Sequence, residues 1–392
     1  MNKLKNIGIS ALAGTLVSLS AAQAGGVSVS GAYEMSYTQL DHNELSGNKL
    51  GVKKNISFGA SGDISDGGGV TWATNIGWTD AADLSSASIA INMGGIATLT
   101  YDSGGGGTGA NAVDNIIPTA WEEVDYGFST GISDVGAVSA SKGVITLAIK
   151  APVAGTGFSV SYASGMSGGH QSDGVVGGAD GHKGVDVVLD FVDYDAAHAG
   201  FRFGVAGQME MPEVTCRRGN YANYGANLPS SQDVASCGNS PKHNPYGGTM
   251  YTKLQLGPLH LGTQATFKNL ATTKSSAIMN TRSVVGGAAL VFGDTLSVSY
   301  GVARDKFRYN DRNRLLAAQA GLQGVEVNEL ALGGETYEYV TQKYEGWSVA
   351  LNLGPVALKG TRNNVRGVGS SARGSLYPEG DTHSEINLSI AF

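Results

Sequence analysis

From Gly25 to Phe392 the chain is a run of segments in which apolar and polar residues alternate with a period of two, and the links between them alternate too, short then long. The short links are SDGGG at 65–69, Gly94-Gly95, VAGTG at 153–157, DAAHAG at 195–200, Gly257-Pro258, Gly293-Asp294 and Gly354-Pro355, all suited to tight turns. The long links fall at 39–48, 80–87, 103–142, 165–183, 211–247, 269–281, 306–335 and 365–381. Seven short and eight long links separate sixteen strands. An even strand number places both ends of the sheet on the short-link side. Soluble sandwiches lack that sidedness, and membrane-spanning barrels require it.

The end of the chain sharpens the point. In SEINLSIAF, Ile386, Leu388, Ile390 and Phe392 share one parity, and Glu385, Asn387, Ser389 and Ala391 the other. In hydrocarbon every backbone N–H and C=O needs an internal partner, which only helices and closed barrels supply. No stretch past the N-terminus approaches the roughly 20 apolar residues of a spanning helix. The last strand is therefore expected to pair with the first, VSVSGAYEMSY, where Val27, Val29, Tyr33, Met35 and Tyr37 oppose Ser28, Ser30, Glu34 and Ser36 in facing. Rings in phase with the apolar parity, Tyr37, Trp78, Tyr101, Tyr162, Phe267 and Tyr300 at one end and Phe158, Phe201, Phe292 and Phe392 at the other, form two aromatic girdles.

Composition agrees. The 392 residues include 59 Gly but only 9 Pro and 2 Cys, as a turn-rich β architecture would. Lys3 and Lys5, the apolar run Ile7 to Leu19 and the triplet Ala22-Gln23-Ala24 read as a secretory signal peptide over 1–24. Without Lys3 and Lys5 the 26 basic residues become 24 against 33 acids, net −9, which disfavours nucleic acid as a partner. The fold class expected is all-β, a transmembrane antiparallel β-barrel of 16 strands, with 25–392 as a single domain.

MGGIATLTYDSG, a tight turn and strand running into a long insertion, and then the hairpin GVITLAIKAPVAGTGFSVSYASG, resemble the strands that flank the constriction loop of general bacterial outer-membrane porins. The resemblance covers nearly all of 25–392. It implies that residues 103–142 fold into the lumen and that 211–247 is a long extracellular loop. It also implies a homotrimer in the Gram-negative outer membrane, with lipid bilayer and lipopolysaccharide around it, no cofactor, and Phe392 as the signal read by the barrel assembly machinery. The activity implied is passive diffusion of small hydrophilic solutes. Apart from the resemblance, Ile116, Ile117, Trp121, Val124, Tyr126 and Phe128 give the long insertion apolar groups that need a surface to pack on.

Selectivity in a channel comes from charges where the lumen narrows. The acidic candidates are Asp102, Asp114, Glu122, Glu123 and Asp125, with Asp134 further on and Lys142 as the loop's one basic residue. A solvated acidic loop would read the same. At inward parity on the wall lie Lys49, Lys53, Arg202, Lys253, Lys268 and Lys359. Where the family carries an inward arginine on its second strand this chain has Ser57, which weakens the basic half and favours an acid-dominated passage. A charge pair at about 4 Å in water is worth only ~1 kcal/mol, so a mild cation preference is expected. Lys54 has outward parity, so it lies either above the apolar band or against another subunit. Cys216 and Cys237, exported in one loop, read as a disulfide closing about 20 residues, worth roughly 3 kcal/mol; a metal site with His243 is the alternative.

Other motifs carry less. GFSTG at 127–131 matches a nucleophile elbow but lacks the strand-to-helix setting, and GGGGTG at 104–109 lacks the Lys of a phosphate loop. NIS at 55–57 and NLS at 387–389 lie within expected strands. DHNE at 41–44 and DFVDYD at 190–195 lack the ligand spacing of an EF-hand. A sugar- or phosphate-selective channel would want an arginine ladder or a run of inward aromatics, and neither is found. A plugged barrel acting as adhesin or hydrolase remains a second alternative. In strand fourteen the parity of Trp347, Val349, Leu351 and Leu353 runs back through Lys343, which suggests a bulge near Gly346.

Overall fold

A computed structural model describes residues 26–40, 48–64, 69–79, 83–103, 108–113, 116–128, 138, 143–150, 155–163, 183–195, 199–211, 244–270, 278–309, 339–367 and 377–392. They hold sixteen strands. The first eight are β1 (Gly26–Leu40), β2 (Leu50–Asp63), β3 (Val70–Thr79), β4 (Asp83–Met93), β5 (Ala97–Asp102), β6 (Val144–Lys150), β7 (Thr156–Ala163) and β8 (Lys183–Asp195). The rest are β9 (Ala199–Met211), β10 (Tyr246–Leu256), β11 (Leu259–Asn269), β12 (Ile278–Phe292), β13 (Leu296–Tyr309), β14 (Tyr339–Leu353), β15 (Val356–Gly367) and β16 (Tyr377–Ala391). A short 3-10 turn at Gly109–Val113 lies in the long insertion between β5 and β6.

Each strand pairs antiparallel with its sequence neighbours and β16 pairs with β1, so the sheet is a closed barrel. The seam runs without a register shift from Ala32 opposite Ala391 to Leu40 opposite His383. One step further, Gly31 and Phe392 exchange both backbone hydrogen bonds at 3.0 Å. A Cβ on Gly31 would stand 2.6 Å from Phe392 Cζ, so the ring fills the space a side chain there would need. An aromatic covering a strand glycine restores the apolar contact that glycine lacks.

The usual relation between polarity and burial is inverted. Val29, Tyr33, Met35, Tyr37, Ile386, Leu388 and Ile390 are exposed, while Glu385, Asn387 and Ser389 are buried. A large exposed apolar surface is the informative anomaly in any fold, and here it wraps the barrel. Tyr37, Tyr101, Tyr162 and Tyr300 at the long-link end and Phe158, Phe201, Phe292 and Phe392 at the turn end are all exposed on it.

The expected bulge near Gly346 is absent. Gly301 faces Gly346 and Tyr300 faces Trp347 in continuous register, and β14 pairs with β15 without a break. Charged residues take over the outward parity above Trp347 because the strand has climbed past the apolar band, and its facing is unchanged. Register shifts occur instead at Gly77/Trp78, Ile278/Asn280 and Val365/Gly367. Strand ends also overrun the expected links: β4 starts at Asp83 and β13 reaches Tyr309. Backbone groups still need partners there, although no lipid enforces the alternation. Residues 1–24, 41–44, Asp114, Asp134, Lys142 and residues 212–243 with Cys216 and Cys237 lie outside the described residues.

Candidate functional site

The insertion between β5 and β6 packs on the polar face of the wall, and apolar patches on that face receive it. Ala110, Val113 and Ile116 meet Val188, Ala206 and Tyr251. Further on, Val124 meets Ala303, Tyr344 and Val365, with Phe128 against them. At Gly287 a side chain would collide with Ile117 Cγ2, so the missing Cβ is what lets the loop approach the strand.

Polar side chains of the wall fix the loop backbone. Buried Asp186 on β8 accepts the Ala110 N–H at 2.9 Å. Gln264 on β11 accepts from Ile116 N–H at 3.1 Å and donates to Val113 carbonyl at 2.9 Å. Ser299 on β13 accepts from Ala120 N–H at 2.9 Å and Ser348 on β14 from Trp121 N–H at 3.2 Å. Asn363 on β15 donates to the Glu123 and Tyr126 carbonyls at 2.8 and 3.1 Å. The anchors run from β8 to β15, so residues 108–113 and 116–128 skirt the inside of one side of the barrel and end at β16. There the ring of Tyr126 stands edge-on to His383, 5.4 Å between centroids.

This path carries Glu122 to the β15–β16–β1–β2 wall. Its carboxylate is within electrostatic reach of Glu385, Lys53, Lys359 and Glu34. Lys53 faces Glu34 across the β1–β2 pair, and Asn387 donates to Glu34 Oε2 at 3.3 Å. Lys359 lies over the Trp121 ring, Nζ 5.8 Å from its centroid. The Tyr126 hydroxyl hydrogen-bonds Glu385. Burial, followed by the charge of Glu385, pushes the Glu122 pKa above its ordinary value, against the pull of Lys53 and Lys359. Two further carboxylates and two ammonium groups thus lie within electrostatic reach of Glu122, a set of net charge −1 when all are ionised.

Of the residues expected at the site, the structure brings together Glu122, Lys53 and Lys359. Asp102 ends β5 on the inward parity, opposite Ser88 and Val144. Glu123 contributes its carbonyl to the Asn363 anchor, and Asp125 continues the same turn, accepting at its carbonyl from Phe128 N–H at 3.0 Å. Lys49 sits at the long-link end, its carbonyl bonded to Thr38 N–H. Lys268, also at that end, lies 3.8 Å from Glu210. Arg202 and Lys253 are directly opposite each other near the turn end. There Arg202 grips Asp190 through Nε and Nη2, with Nη2 at 2.7 Å from Oδ2, and the Tyr251 hydroxyl donates to the same carboxylate at 2.7 Å. Of the motif matches, NIS and NLS lie within β2 and β16. Lys54 faces Tyr33 on the outward face, with exposed Leu50 and Val52 beyond it towards the long-link end, so the apolar band continues past it.

Glu34 and Glu385 were not among the expected site residues. The signal was available in part: both have inward parity on the strands expected to close the barrel. That both come within electrostatic reach of Glu122 follows only from the closed seam, in which Glu34 faces Ser389 and, four positions along, Thr38 faces Glu385.

No family model matches the chain, and no curated protein matches its sequence. Solved structures share the fold. OprB of Pseudomonas putida superposes with a TM-score of 0.59 at 13% identity, covering 94% of each chain. OmpT, an outer membrane protein of Vibrio cholerae in trimer form, gives 0.57 at 7% identity over 94% of this chain and 99% of that one. The outer membrane channel DcaP of Acinetobacter baumannii gives 0.54 at 12% identity over 95% and 98%. At these identities the likeness is one of architecture.

Proposed function

We propose that this chain is a porin of the Gram-negative outer membrane, a water-filled channel through which small hydrophilic solutes and ions diffuse down their gradients with a mild preference for cations. The observation that carries the reading is the loop-to-wall charge group: a closed barrel whose internal loop brings Glu122 to Glu34, Glu385, Lys53 and Lys359 has the parts of a charged constriction. Similarity to DcaP, described as a channel, supports it. Similarity to OmpT in trimer form supports a homotrimer, with Lys54 at the protomer contact, because a lysine facing lipid at the midplane costs about 2–4 kcal/mol. Phe392 serves as the assembly signal, and Cys216 and Cys237 form a disulfide in the loop after β9.

Planar-bilayer conductance of the purified protein in several salt gradients tests the proposal. A steady open conductance with reversal potentials on the cation side is expected. Near-zero current would overturn it in favour of a plugged barrel, and a saturable block by one sugar or by phosphate would point to a selective channel.

A further inference from the structure

On the inner wall, away from the group around Glu122, a hollow of about 320 Å³ opens on the turn side of the insertion. Ala112 and Val113 of the insertion roof it, and Lys150, Ser159, Asp190 and Arg202 border it from the wall. Pockets that hold organic ligands run from about 300 Å³ upward. Register explains the opening. Lys150 on β6 faces Gly157 on β7, Gly157 faces Asp190 on β8, and Asp190 faces Gly204 on β9. A Cβ on Gly157 would meet nothing closer than the Asp190 carbonyl at 4.0 Å, so a bare notch separates the lysine from the aspartate. On the far side a Cβ on Gly204 would collide with the Tyr251 hydroxyl, and glycine there lets the tyrosine reach across to Asp190.

The charges around the notch say what it takes. Asp190 compensates Arg202 and, with the Tyr251 ring 5.4 Å from Arg202 Cζ, fixes the guanidinium in place. The excess lies in two ammonium groups, one on each flank of that pair. Lys150 is exposed on β6, and Lys253 on β10 stands directly opposite Arg202. Like charges so opposed destabilise a sheet. Among the described residues neither lysine has an ion-pair partner. We infer that the notch is a binding subsite for a small dicarboxylate, one carboxylate at Lys150 and the other where Arg202 and Lys253 face each other. Its two negative charges match the two ammonium groups in excess. β6 and β9 stand three strand spacings apart, about 14 Å between backbones, so a monocarboxylate meets one flank only and a compact dianion cannot bridge them. Asp190 and Tyr251 are positioning residues for Arg202. The subsite rests on the porin reading only in taking the lumen as the route by which the solute arrives.

The test uses the full-length protein in detergent at low ionic strength, where exposed charges are least screened, with saturation-transfer NMR reading bound ligand. Glutarate and butyrate are the observed probes and sulfate is the competitor. One charge pair at about 4 Å in water is worth about a factor of five in binding. Glutarate should therefore bind the wild type about fivefold more tightly than butyrate. Lys150→Gln should weaken glutarate about fivefold and bring it level with butyrate, and Lys253→Gln should weaken it by a similar factor. Sulfate should displace glutarate poorly. Equal binding of glutarate and butyrate by the wild type, unchanged glutarate binding in either variant, or displacement by equimolar sulfate would each overturn the inference. KCl conductance on the same preparations separates this subsite from the channel itself. An open channel that binds no glutarate refutes the subsite alone, and a barrel that binds glutarate without conducting keeps the subsite and refutes the porin.

Discussion

Neutralising Glu122 should remove most of the cation preference. With Glu34, Glu122 and Glu385 against Lys53 and Lys359, the group carries a net charge of −1 at a pH where all are ionised. Glu122→Gln takes it to zero, and Lys53→Gln to −2. A unit charge acts on an ion about 6 Å away with about 0.7 kcal/mol in water, and screening at 0.1 M salt lowers this to about 0.4 kcal/mol. That is about a twofold change in partition for a cation and the inverse for an anion, hence about fourfold in their permeability ratio. Single-channel reversal potentials in a tenfold KCl gradient at pH 8 are the assay. Glu122→Gln should bring the potential close to zero, and Lys53→Gln should move it by a similar amount towards the cation limit. If both substitutions shift it in the same direction, or neither does, the loop-to-wall group does not line the path of the ions.

Because burial and Glu385 raise the Glu122 pKa, acidification protonates it before an ordinary carboxylate, so cation preference in the wild-type channel should begin to fall above the usual carboxylate range and this early step should be smaller in Glu122→Gln. Asn363→Ala removes the side-chain donor to the Glu123 and Tyr126 carbonyls, the former keeping only the Tyr126 N–H, a loss of about 1–3 kcal/mol of loop anchoring; hydrogen exchange over 116–128 should quicken while the barrel keeps its resistance to unfolding in unheated gels. Gly31→Val would displace the Phe392 ring, and folding yield read by gel mobility should drop; an unchanged yield would count against the seam packing. Lys54→Leu should alter trimer stability in unheated gels, and an indifferent trimer would remove Lys54 from the protomer contact.

Parity made most of the barrel legible. Every strand that crosses hydrocarbon must alternate, so Ile386 to Phe392 and Val27 to Tyr37 could be assigned a face and the closing pair foreseen. Parity says nothing about height or about place around the wall, which is why Lys49 and Lys268 at the long-link end, and Arg202 and Lys253 on β9 and β10, far around the barrel from β15–β16–β1–β2, looked equivalent to Lys53 and Lys359. It also misled at Gly346, where a change of surroundings along the strand passed for a change of face. Neighbours across strands need register. The shared reach of Glu34 and Glu385 to Glu122 was hidden for that reason, since each looks ordinary within its own strand.

The hydrogen bonds from Gln264, Ser299, Ser348 and Asn363 to the loop join residues 148 to 240 positions apart. None can form until the strands that bear them stand side by side, and contacts this distant in sequence are slow to be made. The cylinder is thus the mould and the loop the casting. During assembly the passage should exist first as a wide bore and tighten only when the insertion settles on a completed wall, so a change that loosens the loop should alter aperture without undoing the cylinder.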